Sequence, residues 1–171
     1  IRDVFAPKDG GASLISMYTS AASLRIQTLF SSISAALGSG GQANYSAANA
    51  LLDGLAHADV SRGVPTVSVQ WAAWAGGGMA DPGMAARLER SGMAMLEPNQ
   101  GLASLGCILS RADLTIGSTD TSWALVLANP FSWPQFVSNL PIVPAFFSEF
   151  RDAARQDTSH DVEMTRSIDS Q

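Results

Sequence analysis

Three short apolar runs separated by helical patterns constrain the fold of this 171-residue chain more than any other feature. The runs span residues 26–33, 64–71 and 122–128, and each has the length and the β-branched, leucine and aromatic content of a buried strand. Helical patterns are predicted over residues 7–22, 42–62, 82–91 and 98–111. Strands that alternate with helices indicate an α/β fold, with a parallel sheet flanked by helices.

The helix predicted over residues 42–62 has two different faces. At about 100° per residue, one face carries small and apolar residues, and we expect it to pack against the rest of the fold. Its members are Ala43, Ala47, Ala50, Leu51, Gly54, Leu55 and Ala58. Tyr45 and Asn49 fall on the opposite face and are neighbours there, because they are four residues apart. One face therefore anchors the helix, and the other is free to carry chemistry.

Composition excludes several classes of protein. A net charge of −5 argues against a general nucleic-acid binder, which needs a basic face. Cys107 is the single cysteine and the two histidines, His57 and His160, are far apart, so we expect no disulfide framework and no metal site. No run of about 18 apolar residues predicts a membrane span, and no signal-peptide pattern is present. We therefore expect a cytoplasmic protein.

The two ends of the chain differ in character. The first residue is Ile1, which we interpret as a cut through a longer polypeptide. Residues 151–171 are rich in charge and contain no aromatic residue, so they are predicted to be a solvated linker. The globular part is expected to span residues 1–150.

Four polar residues form a candidate catalytic set: Lys8, Ser32, Tyr45 and Asn49. A tyrosine hydroxyl is a poor acid at neutral pH unless a nearby cation stabilises its phenolate, and a lysine ammonium can do so. A serine hydroxyl can hold a carbonyl oxygen while the tyrosine delivers a proton. An amide one helical turn from the tyrosine can orient the lysine. These groups suit a carbonyl reductase that takes hydride from a nicotinamide.

The segment from Leu29 to Ala35, followed by Gly38 to Asp53, resembles the ketoreductase domain of modular polyketide synthases, in the short-chain dehydrogenase/reductase superfamily. The family places its serine thirteen residues before its tyrosine, which selects Ser32 over its neighbouring serines. An asparagine four residues after the tyrosine, with the lysine moved upstream into a Pro-Lys pair, matches the polyketide branch. The stretch from Trp71 to Ala80 resembles the family's nicotinamide-side loop and the start of its lid.

The resemblance implies a function and a set of roles. The fold would be the C-terminal, catalytic portion of a Rossmann-like reductase, and the activity would be NADPH-dependent reduction of a β-ketoacyl chain. The β-ketoacyl chain would be tethered through phosphopantetheine to an acyl carrier protein. Residues 151–171 of the protein would lead toward that carrier. Tyr45 would donate the proton and Ser32 would position the ketone. The implied cofactor-binding residues are Lys8, Tyr45, Trp71, Trp74 and Gly76.

The family's Gly-rich nucleotide-binding turn is missing from the sequence. Residues 38–41 follow a strand and are rich in glycine, but they lack the continuation of that turn and the acidic residue downstream. We therefore expect the N-terminal half of the reductase to be a necessary partner. Residues 1–171 alone are predicted neither to bind NADPH nor to reduce a ketone.

Two other interpretations are open at this point. The first is a stand-alone fatty-acid-type 3-oxoacyl reductase. Asn49 argues against it, because such enzymes have lysine at that position. The second is a non-catalytic structural or docking segment of a synthase. The structural halves of this family typically lack the Ser–Tyr pair, whereas this chain has Ser32 and Tyr45.

Overall fold

A computed structural model of the chain describes residues 2–19, 22–76, 82–111 and 119–150. Seven α-helices and three strands are assigned within these ranges. The strands are β1 (Gln27–Ser32), β2 (Thr66–Trp71) and β3 (Leu125–Ala128). The helices are α1 (Arg2–Phe5), α2 (Ala12–Thr19), α3 (Ser34–Leu37), α4 (Ala43–Ser61), α5 (Pro82–Arg90), α6 (Pro98–Ser110) and α7 (Trp133–Ser138).

The three strands form one parallel sheet in the order β1-β2-β3. Ser32 is in register with Trp71, and Trp71 is in register with Ala128, so the carboxyl ends of the strands lie side by side. The predicted α/β fold with a parallel sheet is therefore confirmed. The third strand begins later than predicted because residues 121–123 form a 3₁₀ turn, in which the backbone N–H of Ser122 donates to the Asp120 carboxylate.

Helices cover both faces of this sheet. Ser68 and Gln70 on β2 donate hydrogen bonds to Asp53 of α4, so these alternate residues face α4. Val67 points the other way, because successive side chains of a strand alternate between faces. On that second face Val67 and Val126 line a cavity of about 330 Å³ together with residues of α6.

The predicted packing face of α4 is wrong. Of its seven members all but Leu55 are exposed, and the helix buries the other side. The buried residues are Ala48, Asn49, Leu52, Asp53, Ala56, Asp59 and Val60. Polar side chains can be buried there because neighbouring elements supply hydrogen-bond donors, which offset the loss of hydration. Small apolar residues on the outer face produced a false signal of packing.

Asp59 lies at the centre of a buried polar network. Its carboxylate is fully buried and accepts from Ser16 Oγ at 2.9 and 2.8 Å and from Gln27 Nε2 at 3.1 Å. Thr66 Oγ1 lies at 3.4 Å, and Arg62 forms an ion pair with the same group. The network joins α2, β1, α4 and β2 at the end of the sheet away from Ser32.

The N-terminal helical stretch also differs from the prediction. Helical turns run from Arg2 to Thr19, and Pro7 lies inside them rather than at their start. Residues Ala6–Gly11 are π-helical. Proline cannot donate an amide proton and its ring crowds the preceding turn, so a widened turn accommodates it better than a regular α-helix does. Lys8 lies in this widened segment.

The chain divides into two compact units, and the first contains the sheet together with α1–α4 and α6. The second unit comprises Ala73–Leu96 and Pro130–Gln171. Its residues 130–150 form an aromatic cluster in which the Trp133 ring stacks on Phe150 at 3.9 Å. Gly92 adopts φ of 77° within 4 Å of the backbone of Phe136, where a Cβ would lie 2.3 Å from the Phe136 nitrogen. Residues 130–150 are thus a folded part of this unit.

Some predictions fall outside the described residues. These are the linker over residues 151–171, the loop residues Gly77, Gly78, Met79 and Ala80, and the helix-starting Asp81. The assignment of residues 1–150 to the globular reductase part and of residues 151–171 to a linker remains a prediction. Across the described ranges, none of the helices has the length and apolar character needed to traverse a bilayer.

Candidate active site

The candidate site is built around one row of side chains on α4. Tyr45, Asn49 and Asp53 are spaced four residues apart, so they follow one another along the same side of the helix. Asn49 has no exposed surface, and its Nδ2 donates to the carbonyl oxygen of Tyr45 at 2.8 Å. Its Oδ1 is buried without a hydrogen-bond partner among the described residues. A buried acceptor of this kind is expected to meet a donor when the site is complete.

Lys8 reaches the same region from the π-helical segment. Its Nζ donates to the carbonyl oxygen of Phe30 on β1 at 3.1 Å and lies 5.9 Å from the centroid of the Tyr45 ring. Partial burial lowers the pKa of the Lys8 ammonium below its usual value, and the negative charge of Asp53 opposes that effect. The fold therefore brings together two predicted catalytic residues that are 37 positions apart in the sequence.

Ser32 lies at the carboxyl end of β1. Its Oγ accepts hydrogen bonds from the backbone N–H of Ser34 at 3.2 Å and from the Ser34 hydroxyl at 3.1 Å. The preceding Ser31 donates through its Oγ to the carbonyl oxygen of Asn49 at 3.2 Å. That bond ties the end of β1 to the turn of α4 that carries Asn49, so strand and helix are joined beside the predicted catalytic serine.

The predicted cofactor-binding residues fall into two groups. Lys8, Tyr45 and Trp71 belong to the unit that contains the sheet, where Trp71 is buried with its ring centroid 5.6 Å from that of Phe30. Trp74 and Gly76 belong to the second unit. There Trp74 forms a parallel β-bridge with Leu96, and Gly76 adopts φ of 74°. The roles of all five toward a cofactor remain predictions.

Sequence reasoning missed two residues of this site, Asp53 and Ser34. Both carried a signal: Asp53 extends the Tyr45–Asn49 spacing by one more turn, and Ser34 follows Ser32 at the interval of a short turn. Asp53 is recognisable only once its donors Ser68 and Gln70 are placed opposite it. The assignment of α4's packing face to the wrong side concealed this arrangement.

Comparison with known proteins agrees with the geometry. A family model described as the KR domain matches residues 1–76. The chain is 38% identical to the polyketide synthase GfsA of Streptomyces halstedii over 122 residues. This aligned stretch is 71% of this chain and 2% of that protein. The chain is 43% identical over 111 residues to the spectinabilin polyketide synthase protein NorB of Streptomyces orinoci, covering 63% and 5% respectively. The chain thus spans a small fraction of these curated relatives.

Solved structures of ketoreductases are similar to the chain over most of its length. A-type ketoreductases from a modular polyketide synthase superpose with a TM-score of 0.70 at 31% identity, covering 86% of this chain and 30% of theirs. The ketoreductase from the first module of phoslactomycin biosynthesis in Streptomyces sp. HK803 gives 0.67 at 31% identity, covering 86% and 32%.

The parallel sheet and its flanking helices are those of the short-chain dehydrogenase/reductase class. Within that class, the family match, the relatives and the solved structures support a ketoreductase (KR) domain of a modular polyketide synthase. KR domains are oxidoreductases that bind a nicotinamide cofactor.

Proposed function

We propose that this chain supplies the catalytic residues for NADPH-dependent reduction of a β-ketoacyl chain to the β-hydroxyacyl chain in polyketide biosynthesis. The approach of Lys8 Nζ to the Tyr45 ring is the observation that carries the proposal. A surface lysine would instead extend into solvent, where its charge is best hydrated. Holding an ammonium beside a phenol has a cost in hydration, and stabilisation of a phenolate offsets that cost.

Each residue of the set has a distinct role in this proposal. The Tyr45 hydroxyl donates the proton to the keto oxygen as the carbonyl is reduced, and Lys8 stabilises the phenolate that remains. Ser32 donates a hydrogen bond to the same keto oxygen and so fixes the ketone relative to Tyr45. Asn49 supports Lys8 and Tyr45 from the neighbouring turn of α4. The free acceptor Oδ1 of Asn49 suits an ammonium or a bridging water.

The residues present also fit a nicotinamide nucleotide. When bound, the nicotinamide supplies the hydride that adds to the keto carbon. Lys8 and Tyr45 would hold the adjoining ribose through its hydroxyl groups, because an ammonium and a phenol are both suitable partners for a diol. Trp71 would lie on the nicotinamide side. The orphaned buried acceptor on Asn49 supports a polar, partly hydrated site at this position.

The substrate is proposed to be a ketone carried by an acyl carrier protein through phosphopantetheine. The relatives are polyketide synthases of which this chain spans at most a few per cent, which supports a multidomain setting. We propose that the 171 residues act within a ketoreductase domain that also holds the adenosine end of the cofactor.

The test is to replace Tyr45 in a ketoreductase domain that carries this chain. Oxidation of NADPH is followed by absorbance with a soluble β-ketoacyl thioester, and NADH is compared in parallel. Tyr45→Phe is expected to lower kcat by about 10² or more, the usual cost of losing a general acid. Tyr18→Phe is the matched control, because Tyr18 is the other tyrosine of the chain and is 78% exposed on α2. Retention of more than a tenth of kcat by Tyr45→Phe would reject Tyr45 as the proton donor.

A further inference from the structure

The hydroxyl of Ser32 receives two hydrogen bonds from one residue. The backbone N–H of Ser34 lies 3.2 Å from Ser32 Oγ, and the Ser34 hydroxyl oxygen lies 3.1 Å from it. Ser34 is 7% exposed, so water does not compete strongly for its hydroxyl. The proposed function gives Ser34 no part.

The number of lone pairs on a hydroxyl decides what this arrangement does. A serine oxygen can accept two hydrogen bonds and donate one. An amide N–H can only donate, so it takes one lone pair of Ser32, and the Ser34 hydroxyl takes the other by donating. The proton of Ser32 is then left over, and within the described residues the hydroxyl of Ser34 is the one side-chain group hydrogen-bonded to Ser32. The Ser32 proton is available to a keto oxygen.

We propose that Ser34 is a positioning residue, which orients the Ser32 hydroxyl so that its proton points to the substrate carbonyl. This inference rests on the proposed role of Ser32. The opposite orientation, in which Ser32 donates to Ser34, would occupy the proton needed by the ketone. A hydroxyl that accepts hydrogen bonds also becomes a better donor, because successive hydrogen bonds polarise one another.

The backbone holds Ser34 in place for this role. Ser34 is the first residue of α3, and its carbonyl oxygen accepts from the N–H of Gly38 at 3.0 Å. Helix α3 packs against α4 and also touches β1 and β2. The hydroxyl of Ser34 is therefore fixed to the same strand and helix that carry Ser32 and Tyr45.

The experiment is a double-mutant cycle in a ketoreductase domain that carries this chain. Ser34→Ala alone should lower kcat by roughly threefold to tenfold, the worth of one hydrogen bond, with KM little changed. In a Ser32→Ala background the same change should have no further effect on kcat, because the hydroxyl that it orients is gone. An equal loss in both backgrounds would mean that Ser34 acts only through the fold, and would overturn the proposal.

Two more variants keep the result decisive. Ser34→Cys keeps the size of the side chain but donates weakly, so it should reproduce the loss in kcat even if the alanine variant fails to fold. Ser16→Ala is the matched control: Ser16 is also a buried serine, but it donates to Asp59, and any loss it causes should be the same in both backgrounds.

The outcomes separate this inference from the proposed function. If Ser32→Ala retains full kcat, Ser32 does not hold the ketone, and both the role of Ser32 and the inference fail. If Ser32→Ala is impaired while Ser34→Ala and Ser34→Cys match the unsubstituted domain or exceed it, the proton of Ser32 is not directed by Ser34. Only the inference is then lost.

Discussion

Replacement of Lys8 by methionine should slow ketone reduction by about one to two orders of magnitude. Methionine preserves most of the length and apolar character of the lysine stem, so the substitution removes mainly the charge. Lys8 Nζ is 5.9 Å from the centre of the Tyr45 ring. Two unit charges about 6 Å apart attract by about 3 kcal/mol at an effective dielectric constant of about 20.

That attraction converts directly into a rate. If the phenolate charge were fully developed in the transition state, loss of about 3 kcal/mol would lower kcat roughly 100-fold, and a half-developed charge would give roughly tenfold. The measurement is the single-turnover rate of NADPH oxidation with a β-ketoacyl thioester, in a ketoreductase domain that carries the chain. Single turnover isolates the chemical step from product release.

Arg90→Met is the control, because it removes one positive charge from an exposed position on α5 and changes the net charge equally. Its single-turnover rate should match that of the unsubstituted domain. A Lys8→Met rate within threefold of the unsubstituted rate would refute the electrostatic argument and return Lys8 to the status of a surface cation.

Two other predictions concern charge and backbone. Asp53→Asn removes the negative charge that raises the pKa of Lys8, so this pKa should fall and the alkaline loss of activity should move to lower pH. Carbon-13 NMR titration after reductive methylation of the 171-residue chain measures this pKa directly, since Lys8 is the single lysine of that chain, and an unchanged pKa contradicts the prediction. Gly63→Ala should cost about 1–2 kcal/mol for its left-handed backbone alone, whereas Gly92→Ala should cost at least about 2 kcal/mol more because its Cβ meets backbone atoms. Urea unfolding of the chain compares the two, and equal costs would show that the close approach at Gly92 yields easily.

Local patterns predicted the strands, and the family resemblance predicted the residues that meet at the site. The runs that became β1 and β2 were placed to within one or two residues, because buried parallel strands are short and apolar. The approach of Lys8 to Tyr45 followed from the family spacing rather than from periodicity. No local pattern could supply the distance between Lys8 and Tyr45, since it depends on how the widened turn at Pro7 packs against α4.

The buried side of α4 shows where sequence reasoning fails. Apolar periodicity assumes that a buried face is apolar, and here Asn49, Asp53 and Asp59 are buried while Ala47 and Ala50 are exposed. The partners of these polar groups come from strands and a helix distant in sequence. Those partners exist only in the assembled fold, so the pattern of one helix by itself predicts the wrong side.

The carboxylates on the buried side of α4 fix the position and the rotation of that helix against the sheet. A helix held by methyl groups alone can slide or turn a little at small cost. Advancing α4 by one residue would turn it by about 100° and shift it by about 1.5 Å. Asp53 and Asp59 would then be separated from their donors while still buried, at a cost of several kcal/mol. The outer surface of the helix can therefore change freely in sequence, while the position of Tyr45 is set by groups two and four turns away.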